Sequence, residues 1–242
     1  MKYSAFASRN IKEILRDPAT LFFGIGFPVA ILLLLSAIQS NIPVSIFKIE
    51  KLTPGIAVFG FSFISLFSGM LIAKDRSTSL FMRLFASPLS SSDFIIGYTL
   101  PLLPVAIMQS IVCFIAAFFL GLSFSVNILI EIIVLIPAAV LFIAIGLLTG
   151  SICNDKQVGG ICGALLTNIS AWMSGTWFDL NLVGGTFKKI AYLLPFSHAV
   201  DAARAAAYGK YSDIPVHLIW VTVYTVVMFI IAVIAFKKKS TS

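Results

Sequence analysis

Long apolar segments alternate with shorter polar ones along the whole chain of 242 residues. A helix that crosses a bilayer needs about 20 consecutive, mostly apolar residues, and six segments reach that length. The predicted spans are 19–39, 54–73, 94–120, 128–151, 158–178 and 216–236. Pro28 is expected to bend the first span, and Pro101 and Pro104 are expected to break the third, which is too long to stand upright.

Composition supports a membrane protein and argues against a soluble one. Apolar residues make up 59% of the chain and charged residues 11%, with a mean hydropathy of +1.03. Soluble domains contain about 25% charged residues, so the fold class is expected to be all-α and integral to a membrane. The net charge of +7 does not indicate nucleic acid as a partner, because the basic residues flank apolar segments instead of clustering on a soluble domain.

The first polar segment, residues 2–17, has the spacing of an amphipathic helix. Apolar side chains recur on one face and charged side chains on the other. The apolar face consists of Tyr3, Phe6, Ala7, Ile11, Ile14 and Leu15. Such a helix is expected to lie in the headgroup layer of the lipid bilayer, and Pro18 is suited to the first turn of the span that follows.

A second amphipathic segment interrupts the chain between the second and third spans. Its apolar positions are spaced to form one stripe of a short helix. The stripe consists of Leu80, Phe81, Leu84 and Phe85. The helix is expected to stop at Ser87, because the residue before a proline is displaced from the α region. This pattern alone leaves two interpretations open: the helix lies on the bilayer surface, or it inserts into a soluble partner.

Residues 179–215 are too polar and broken to span the membrane, and too apolar for a free loop. We predict short re-entrant helices that dip into the membrane from one side and are covered by protein at that depth. The distribution of Lys and Arg predicts the orientation. Eleven of the 17 lie on the side of the two termini and six on the other, which predicts cytoplasmic termini and an outer position for 179–215.

Catalytic motifs are missing from this sequence. It has no His-Glu-x-x-His zinc motif, no pair of carboxylates within a span, and no glycine-rich phosphate loop ending in Gly-Lys-Ser/Thr. We therefore expect no metal site, no catalytic residue and no ATP site in this chain. His198 and His217 are interpreted as interfacial rings with a wet polar edge, and the three cysteines as small residues of membrane helices.

A few polar and small residues within the spans are candidates for a function. Glu131, near the outer end of the fourth span, either reaches headgroups and water or contacts a transported substrate. Asn168 and Ser170, deeper in the fifth span, either bond to neighbouring helices or face a substrate path. Gly159 and Gly163 are four residues apart, which allows close helix approach within one chain or between subunits.

Three features together resemble the permease subunits of ABC-2 type transporters, particularly the small bacterial exporters of drugs and antibiotics. Residues 83–90, Arg-Leu-Phe-Ala-Ser-Pro-Leu-Ser, look like the family's Arg-Leu-x-x-(Ser/Thr)-Pro-Leu segment. A second feature is residues 194–204, which are similar to the family's outer Leu-Pro-x-x-x-x-x-(Asp/Glu)-x-x-Arg segment. Here Asp201 occupies the acidic position and Arg204 the final one. The third feature is the amphipathic N-terminal helix followed by six spans, so the resemblance covers nearly the whole chain.

By this resemblance, residues 1–242 form a single transmembrane domain that pairs with a second permease chain, either identical or a sister. Each permease docks on a separate cytoplasmic ABC ATPase subunit, which carries the ATP and Mg. The coupling helix is expected at residues 77–85, where the apolar stripe fills a groove on the ATPase and Arg83 pairs with acidic residues at the rim of that groove. The N-terminal helix is also expected to touch the ATPase.

The resemblance also implies a bacterial plasma membrane and efflux, as in antibiotic resistance. Because few polar groups lie at depth, the expected cargo is amphiphilic or hydrophobic: a drug, an antimicrobial peptide or a lipid-like compound. The competing hypothesis is a secondary carrier or channel without a nucleotide-binding partner. An inverted repeat or a charge at mid-membrane would favour that hypothesis, and the sequence shows neither. A membrane scaffold or enzyme is disfavoured by the missing catalytic residues.

Overall fold

The computed structural model describes residues 4–43, 47–78 and 91–240, and this part of the chain is helical, without a strand. Helices are numbered in chain order, and short pieces that continue one another are counted together. They are α1 (Ser4–Leu15), α2 (Pro18–Ser40), α3 (Ile49–Arg76), α4 (Ser91–Phe119), α5 (Asn127–Ile152), α6 (155–173), α7 (Leu180–Val183), α8 (Gly185–Leu193), α9 (Pro195–Ala207) and α10 (Ile214–Ser240). The all-α prediction is confirmed.

Five of the described helices are long and apolar enough to cross a membrane, namely α2 to α5 and α10. They correspond to the first four predicted spans and the sixth. The largest difference in their ends is at α3, which begins at Ile49 and not at Pro54. The proline fits inside the helix near its start, where its missing N–H costs one hydrogen bond. Because α6 is not among the five, the count of six spans stays a prediction.

Two helices, α2 and α6, contain a π-type segment, in which hydrogen bonds reach one residue further back than in an α-helix. In α2 this segment is Phe22–Gly26, and the N–H of Phe27 donates to the carbonyl of Phe22. Pro28 follows directly, and its missing N–H interrupts the α-helical ladder at this point. The irregularity expected at this proline therefore takes the form of a π segment before it. In α6 the π segment is Gly159–Leu166.

The central helix of the bundle is α3. In its most apolar stretch of 18 residues, 83% of the residues are buried, compared with 17% in the corresponding stretch of α2 and 11% in that of α10. α3 crosses α5 where Gly69 meets Gly146 and Gly150, and a Cβ added at Gly69 would lie 2.9 Å from the carbonyl oxygen of Gly146. Glycine therefore allows the two backbones to touch. Beside this crossing, Phe61 and Phe142 pack in the main apolar cluster, with ring centroids 6.2 Å apart.

The ends of the helices sort into two groups, which we call the proximal and the distal end. At the proximal end, α1, the last turn of α3 and the α5–α6 turn meet, and Arg76 donates to the carbonyl of Gly150 at 2.6 Å. At the distal end, the start of α5 meets the end of α9, and Asn127 donates to the carbonyl of Ala207 at 3.1 Å. That the proximal end faces the cytoplasm stays a prediction.

Residues 180–207 fold into the short helices α7, α8 and α9. Pro195 begins α9 in the first helical turn, where its lack of an N–H costs nothing. This alanine-rich helix is buried against α3, α5 and α10, since small side chains allow close packing on all sides. Short helices were expected in this segment, and their entry into the membrane stays a prediction.

Candidate functional site

A charged cluster at the proximal end fastens α1 to α3 and α4. The guanidinium of Arg9 makes a bidentate contact with the carboxylate of Asp75, with Nη2 2.8 Å from Oδ1, and also pairs with Glu13 at 2.6 Å. The hydroxyl of Tyr98 donates to Asp75 Oδ2 at 2.9 Å. Lys74 completes the cluster, 3.3 Å from Glu13. Asp75, which is 2% exposed, therefore joins three helices. We call this group the Asp75 cluster.

The next residue of α1, Asn10, fills a gap that a proline opens in α4. Pro101 has no N–H to donate to the carbonyl of Gly97, four residues earlier. Asn10 Nδ2 donates to that carbonyl instead, at 3.0 Å, and the asparagine is fully buried. Phe6 packs directly on Gly97, where any side chain would collide with the ring, and lies 4.9 Å from the ring of Tyr98. α1 therefore recognises α4 through specific polar and steric contacts.

The predicted apolar face of α1 contacts protein more than it contacts the exterior. Phe6 is 7% exposed and Ile14 is 4% exposed, and both belong to the main apolar cluster. Ile11 is partly buried. Leu15, at the end of the same predicted face, has an exposed side chain, at 52%. Part of the surface that was expected to lie on lipid is therefore buried in protein, with Phe6 packed on Phe94, Gly97 and Tyr98 of α4.

Most of the predicted coupling helix, residues 77–85, falls in the segment 79–90, which lies outside the described residues. The docking residues concerned are Leu80, Phe81, Arg83, Leu84 and Phe85. The structure shows where this segment is attached. The hydroxyl of Thr78 donates to the carbonyl of Asp75 at 2.8 Å, directly before the segment begins. The segment therefore leaves α3 beside the Asp75 cluster.

A groove lined by aromatic side chains lies between α2, α3 and α6, and we call it the aromatic groove. Its volume is about 520 Å³. Its walls are Phe27, Ile31, Phe59, Phe63, Thr167, Asn168, Ala171, Trp172 and Trp177. The ring of Phe59 lies 5.7 Å from that of Phe63 and 5.4 Å from that of Trp177, edge to face in both cases. A surface of this kind fits an apolar ligand.

The three residues proposed for a substrate path do not share one site. Asn168 lines the aromatic groove, where its side chain donates to the carbonyl of Ala164 at 2.8 Å. Ser170 is 1% exposed and donates to the carbonyl of Thr167 at 3.1 Å. Glu131 belongs to α5, is 4% exposed and does not line the groove. Its burial does not fit a carboxylate that reaches headgroups or water.

The glycine pair at the start of α6 is not where this chain packs most tightly. A Cβ at Gly159 would meet nothing within 4 Å, and one at Gly163 would lie 3.3 Å from the side chain of Leu66. The tight helix crossing uses Gly146 and Gly150 of α5, a second pair four residues apart. Gly159 therefore has no packing role within the described residues, and the interpretation as a subunit interface stays a prediction.

A polar cavity of about 610 Å³ lies at the distal end, and we call it the distal cavity. Its charged lining residues are Lys51, Asp179, Asp201, Arg204 and Lys210. Trp177 lines both this cavity and the aromatic groove. The two spaces meet at this one side chain. The groove is lined mainly by apolar side chains, whereas the cavity combines charged and apolar ones.

Arg204 of α9 forms an inner wall of the distal cavity. Its Nε and Nη2 atoms each lie 3.1 Å from the carbonyl oxygen of Lys51, and Nη2 is also 2.9 Å from that of Gly175. One side chain therefore ties α9 to the start of α3 and to the turn after α6. Asp201 accepts a hydrogen bond from Tyr192 at 2.7 Å. Burial, together with the neighbouring Asp201 carboxylate, raises the pKa of Tyr192, so its hydroxyl remains a donor.

His198 and His217 link α9 to α10. Their Nδ1 atoms are 2.9 Å apart, and His198 Nε2 lies 3.0 Å from the carbonyl oxygen of Tyr192. Because a carbonyl only accepts, Nε2 carries a hydrogen, and Nδ1 of a neutral His198 accepts from His217. The His198 ring stacks on Trp220 at 5.1 Å and is 6% exposed, unlike the wet ring expected from the sequence. Burial lowers the pKa of His198, and the nearby His217 acts in the same direction.

Comparison with known proteins assigns the chain to a family. The family model described as ABC-2 type transporter matches residues 1–208. The chain belongs to the ABC-2 type transporter family. Two similar proteins bear the name "Putative transport permease ycf38". The one from Porphyra purpurea is 28% identical and the one from Pyropia yezoensis 26%, each over 211 residues that cover 83% of this chain and 72% of the relative. The resemblance to the ABC-2 type transporter family inferred from the motifs is confirmed.

As a member of the ABC-2 family, the chain is a multi-pass membrane protein and a transport permease subunit. The matched region includes the Asp75 cluster, the aromatic groove and Arg204. Sequence reasoning missed two features of this ABC-2 chain. Arg9 is one of the charged residues of segment 2–17 and Asp75 follows the second predicted span, but nothing in the spacing indicates that the two pair. Sequence reasoning also gave no signal that Trp177 separates two cavities, because that depends on how α2, α3 and α6 meet.

Proposed function

We propose that this ABC-2 permease is the membrane subunit of an ATP-driven exporter, which moves an amphiphilic or hydrophobic cargo out of the cytoplasm or inner leaflet. The observation that carries the proposal is the Asp75 cluster in a chain of this family. It joins α1, α3 and α4 at the point where the segment 79–90 begins. In this proposal a soluble ABC ATPase binds the segment 79–90 and α1. Its movement is transmitted to α3 and α4 through the carboxylate of Asp75. ATP and Mg bind to that partner.

The proximal end faces the cytoplasm in this proposal, and the membrane is the bacterial plasma membrane. Support comes from the charge distribution, since 11 of the 17 Lys and Arg residues belong to the segments grouped with the termini. The described contacts bring together the segments that carry this excess, including Arg9, Lys74 and Arg76. Both termini are then cytoplasmic, and the distal cavity opens outside.

The aromatic groove is the proposed cargo site. Its volume of about 520 Å³ lies within the range of roughly 300–1,000 Å³ that is usual for small-molecule pockets. Most of its lining residues are aromatic or aliphatic, and Asn168 and Thr167 supply the polar contacts. A drug, an antimicrobial peptide side chain or a lipid-like compound fits this chemistry.

A second permease chain, identical or a sister, completes the proposed transporter. The surface of α6 supports this pairing, because a Cβ at Gly159 or Gly160 would meet nothing within 4 Å, and Ile161 and Leu165 are 39% and 57% exposed. Small residues beside exposed aliphatic ones suit a helix interface in a membrane. Gly159→Leu is expected to reduce dimer formation, measured by cross-linking in native membranes, while the monomer still inserts.

The deciding experiment is a mild-detergent purification of this chain from native membranes, followed by mass spectrometry of the proteins that accompany it. A stoichiometric ATP-binding cassette protein is expected. Arg83→Glu and Phe81→Ala are each expected to remove it. The first reverses a charge of the proposed docking helix, and the second removes one of its apolar side chains. Lys156→Glu, also at the proximal end but on α6, is the matched control and is expected to retain the partner.

Two results would contradict the proposal. One is purification of the intact chain without any ATPase in several detergents, which would favour a secondary carrier or channel. The other is equal loss of the ATPase in Arg83→Glu and Lys156→Glu, which would mean that docking depends on overall charge and not on the segment 79–90.

A further inference from the structure

We infer that the aromatic groove and the distal cavity are two halves of one binding site for an anionic amphiphile. The apolar chain of such a molecule occupies the groove, and its acidic head group occupies the distal cavity. This inference rests on the proposed function for its role in transport, and it adds the chemical class of the cargo and the place where the cargo leaves the bilayer.

The first observation is that Trp177 belongs to the lining of both spaces. Its ring packs edge-on against Phe59 in the groove, 5.4 Å between centroids. The preceding residue, Thr176, donates to the carbonyl of Gly55 at 3.2 Å and sits where a Cβ at Gly55 would be 2.9 Å away. The turn that carries Trp177 is therefore seated on α3, and the indole forms the boundary between an apolar and a polar space.

The second observation is that the two volumes suit the two ends of one molecule. The groove of about 520 Å³ is lined mainly by apolar rings, and the cavity of about 610 Å³ is lined by five charged side chains. A purely apolar ligand leaves the charged half unused, and a purely polar one leaves the aromatic half unused. An amphiphile that passes Trp177 satisfies both halves.

The third observation is the charge of the distal cavity. Both carboxylates already accept hydrogen bonds: Asp179 from the N–H of Asn181 at 2.9 Å, and Asp201 from the tyrosine of α8. The ammonium groups of Lys51 and Lys210 make no hydrogen bond or ion pair with another residue in the described part of the chain, although Lys51 attracts Asp179 over a longer distance. Both lysines are exposed, and their charges are available to pair with an acidic head group through charge-assisted hydrogen bonds.

Arg204 is a positioning residue in this arrangement. Its guanidinium is committed to the carbonyls of Lys51 and Gly175, so it is not the primary ligand of the head group. The carbonyl of Gly175 lies two residues before Trp177. The same bonds therefore set the distance between the turn that carries the indole and the start of α3.

The test uses tryptophan fluorescence of the full chain in nanodiscs of a zwitterionic lipid. Trp172→Phe and Trp220→Phe leave Trp177 as the single tryptophan, since the chain has three. The probe is dibromostearate, which quenches an indole only at close contact, at a pH where its carboxylate is ionised and lysines are still charged. Its uncharged methyl ester is the matched probe. Saturable quenching by the acid is expected, at a lower concentration than by the ester.

Lys51→Gln and Lys210→Gln are each expected to raise the half-saturating concentration of the acid about fivefold, the factor for one solvated charge contact. Neither is expected to change quenching by the ester. A chain that keeps only Trp220, which is 39% exposed and lines neither the groove nor the cavity, measures quenching by probe dissolved in the bilayer. That variant is expected to respond equally to acid and ester.

Three results would overturn the inference: equal quenching of Trp177 by acid and ester, preference for the acid that survives both lysine substitutions, or the same preference at Trp220. The assay requires neither ATP nor a partner protein. Its failure therefore leaves the purification of an ATPase with the chain unaffected, and failure of that purification leaves the quenching result unaffected.

Discussion

The contact between α3 and α5 gives the sharpest test of the packing. At Gly146, an added Cβ would lie 2.8 Å from the Cβ of Ser68 and would overlap the carbonyl oxygen of Ser65. Carbon atoms pack at about 3.5–4.0 Å, so Gly146→Ala forces the two helices apart by roughly 1 Å. Overpacking of this kind costs about 1–3 kcal/mol. Gly26→Ala is the matched control, because its Cβ would make only ordinary contact with the ring of Phe22, at 3.5 Å.

The expected difference between the two variants is about 2 kcal/mol, since both gain the same helix propensity of roughly 1 kcal/mol. For a chain of this size, that corresponds to about 5 °C in Tm. The assay is thermal loss of the monodisperse peak in size-exclusion chromatography, after heating in detergent. Gly150→Ala is expected to behave like Gly146→Ala. Equal melting of Gly146→Ala and Gly26→Ala would refute the conclusion that glycine sets the distance between α3 and α5.

Three further predictions concern the polar contacts at the two ends. Arg9→Asp is expected to weaken the attachment of α1 by about 2 kcal/mol and to make α1 more sensitive to limited proteolysis. Adding Asp75→Arg is expected to restore part of the protection. Absence of this rescue would contradict a direct ion pair between residues 9 and 75. Because burial lowers the pKa of His198, folding disfavours its protonation, so Tm is expected to fall between about pH 7 and pH 5. His198→Phe is expected to flatten that pH dependence, and an unchanged pH profile would contradict it. Arg204→Gln, in a chain that keeps only Trp177, is expected to increase acrylamide quenching, because the turn loses its bonds to α9.

The order of helices could be predicted from the sequence because it depends on local composition. Five apolar windows of sufficient length appear in the structure near the predicted positions. The faces that meet could not be predicted in the same way. The sequence contains two glycine pairs four residues apart, at 146 and 150 and at 159 and 163. Nothing local distinguishes the pair that touches Ser65 and Gly69 from the pair at which Gly159 faces open space. That difference arises only when α3 is placed between α5 and α6.

The amphipathic pattern of α1 shows a related limit. Helical spacing separates apolar from charged positions, but it does not reveal whether the apolar face meets lipid or protein. The deciding residue is Asn10, a polar side chain on the buried side. Its partner is a carbonyl that Pro101 leaves without its helical donor. Asn10 and Pro101 are 91 positions apart in the sequence. This pair, and not the apolar spacing, determines that α1 packs on α4.

These contacts also bear on how the proposed exporter transmits motion. α3 is fastened at its proximal end by Asp75 and Arg76, and at its distal end by Arg204 bonded to the carbonyl of Lys51. Between those ends it touches α5 backbone to backbone at Gly69. A close-packed crossing has little freedom to slide, so in the proposed exporter it is expected to act as a pivot. If an ATPase displaces the proximal end, as proposed, the distal end of α3 is expected to move in the opposite sense. The bonds from Arg204 are then expected either to break or to carry with them the turn that holds Trp177. The proposal therefore expects opening of the distal cavity to depend on the segment 79–90.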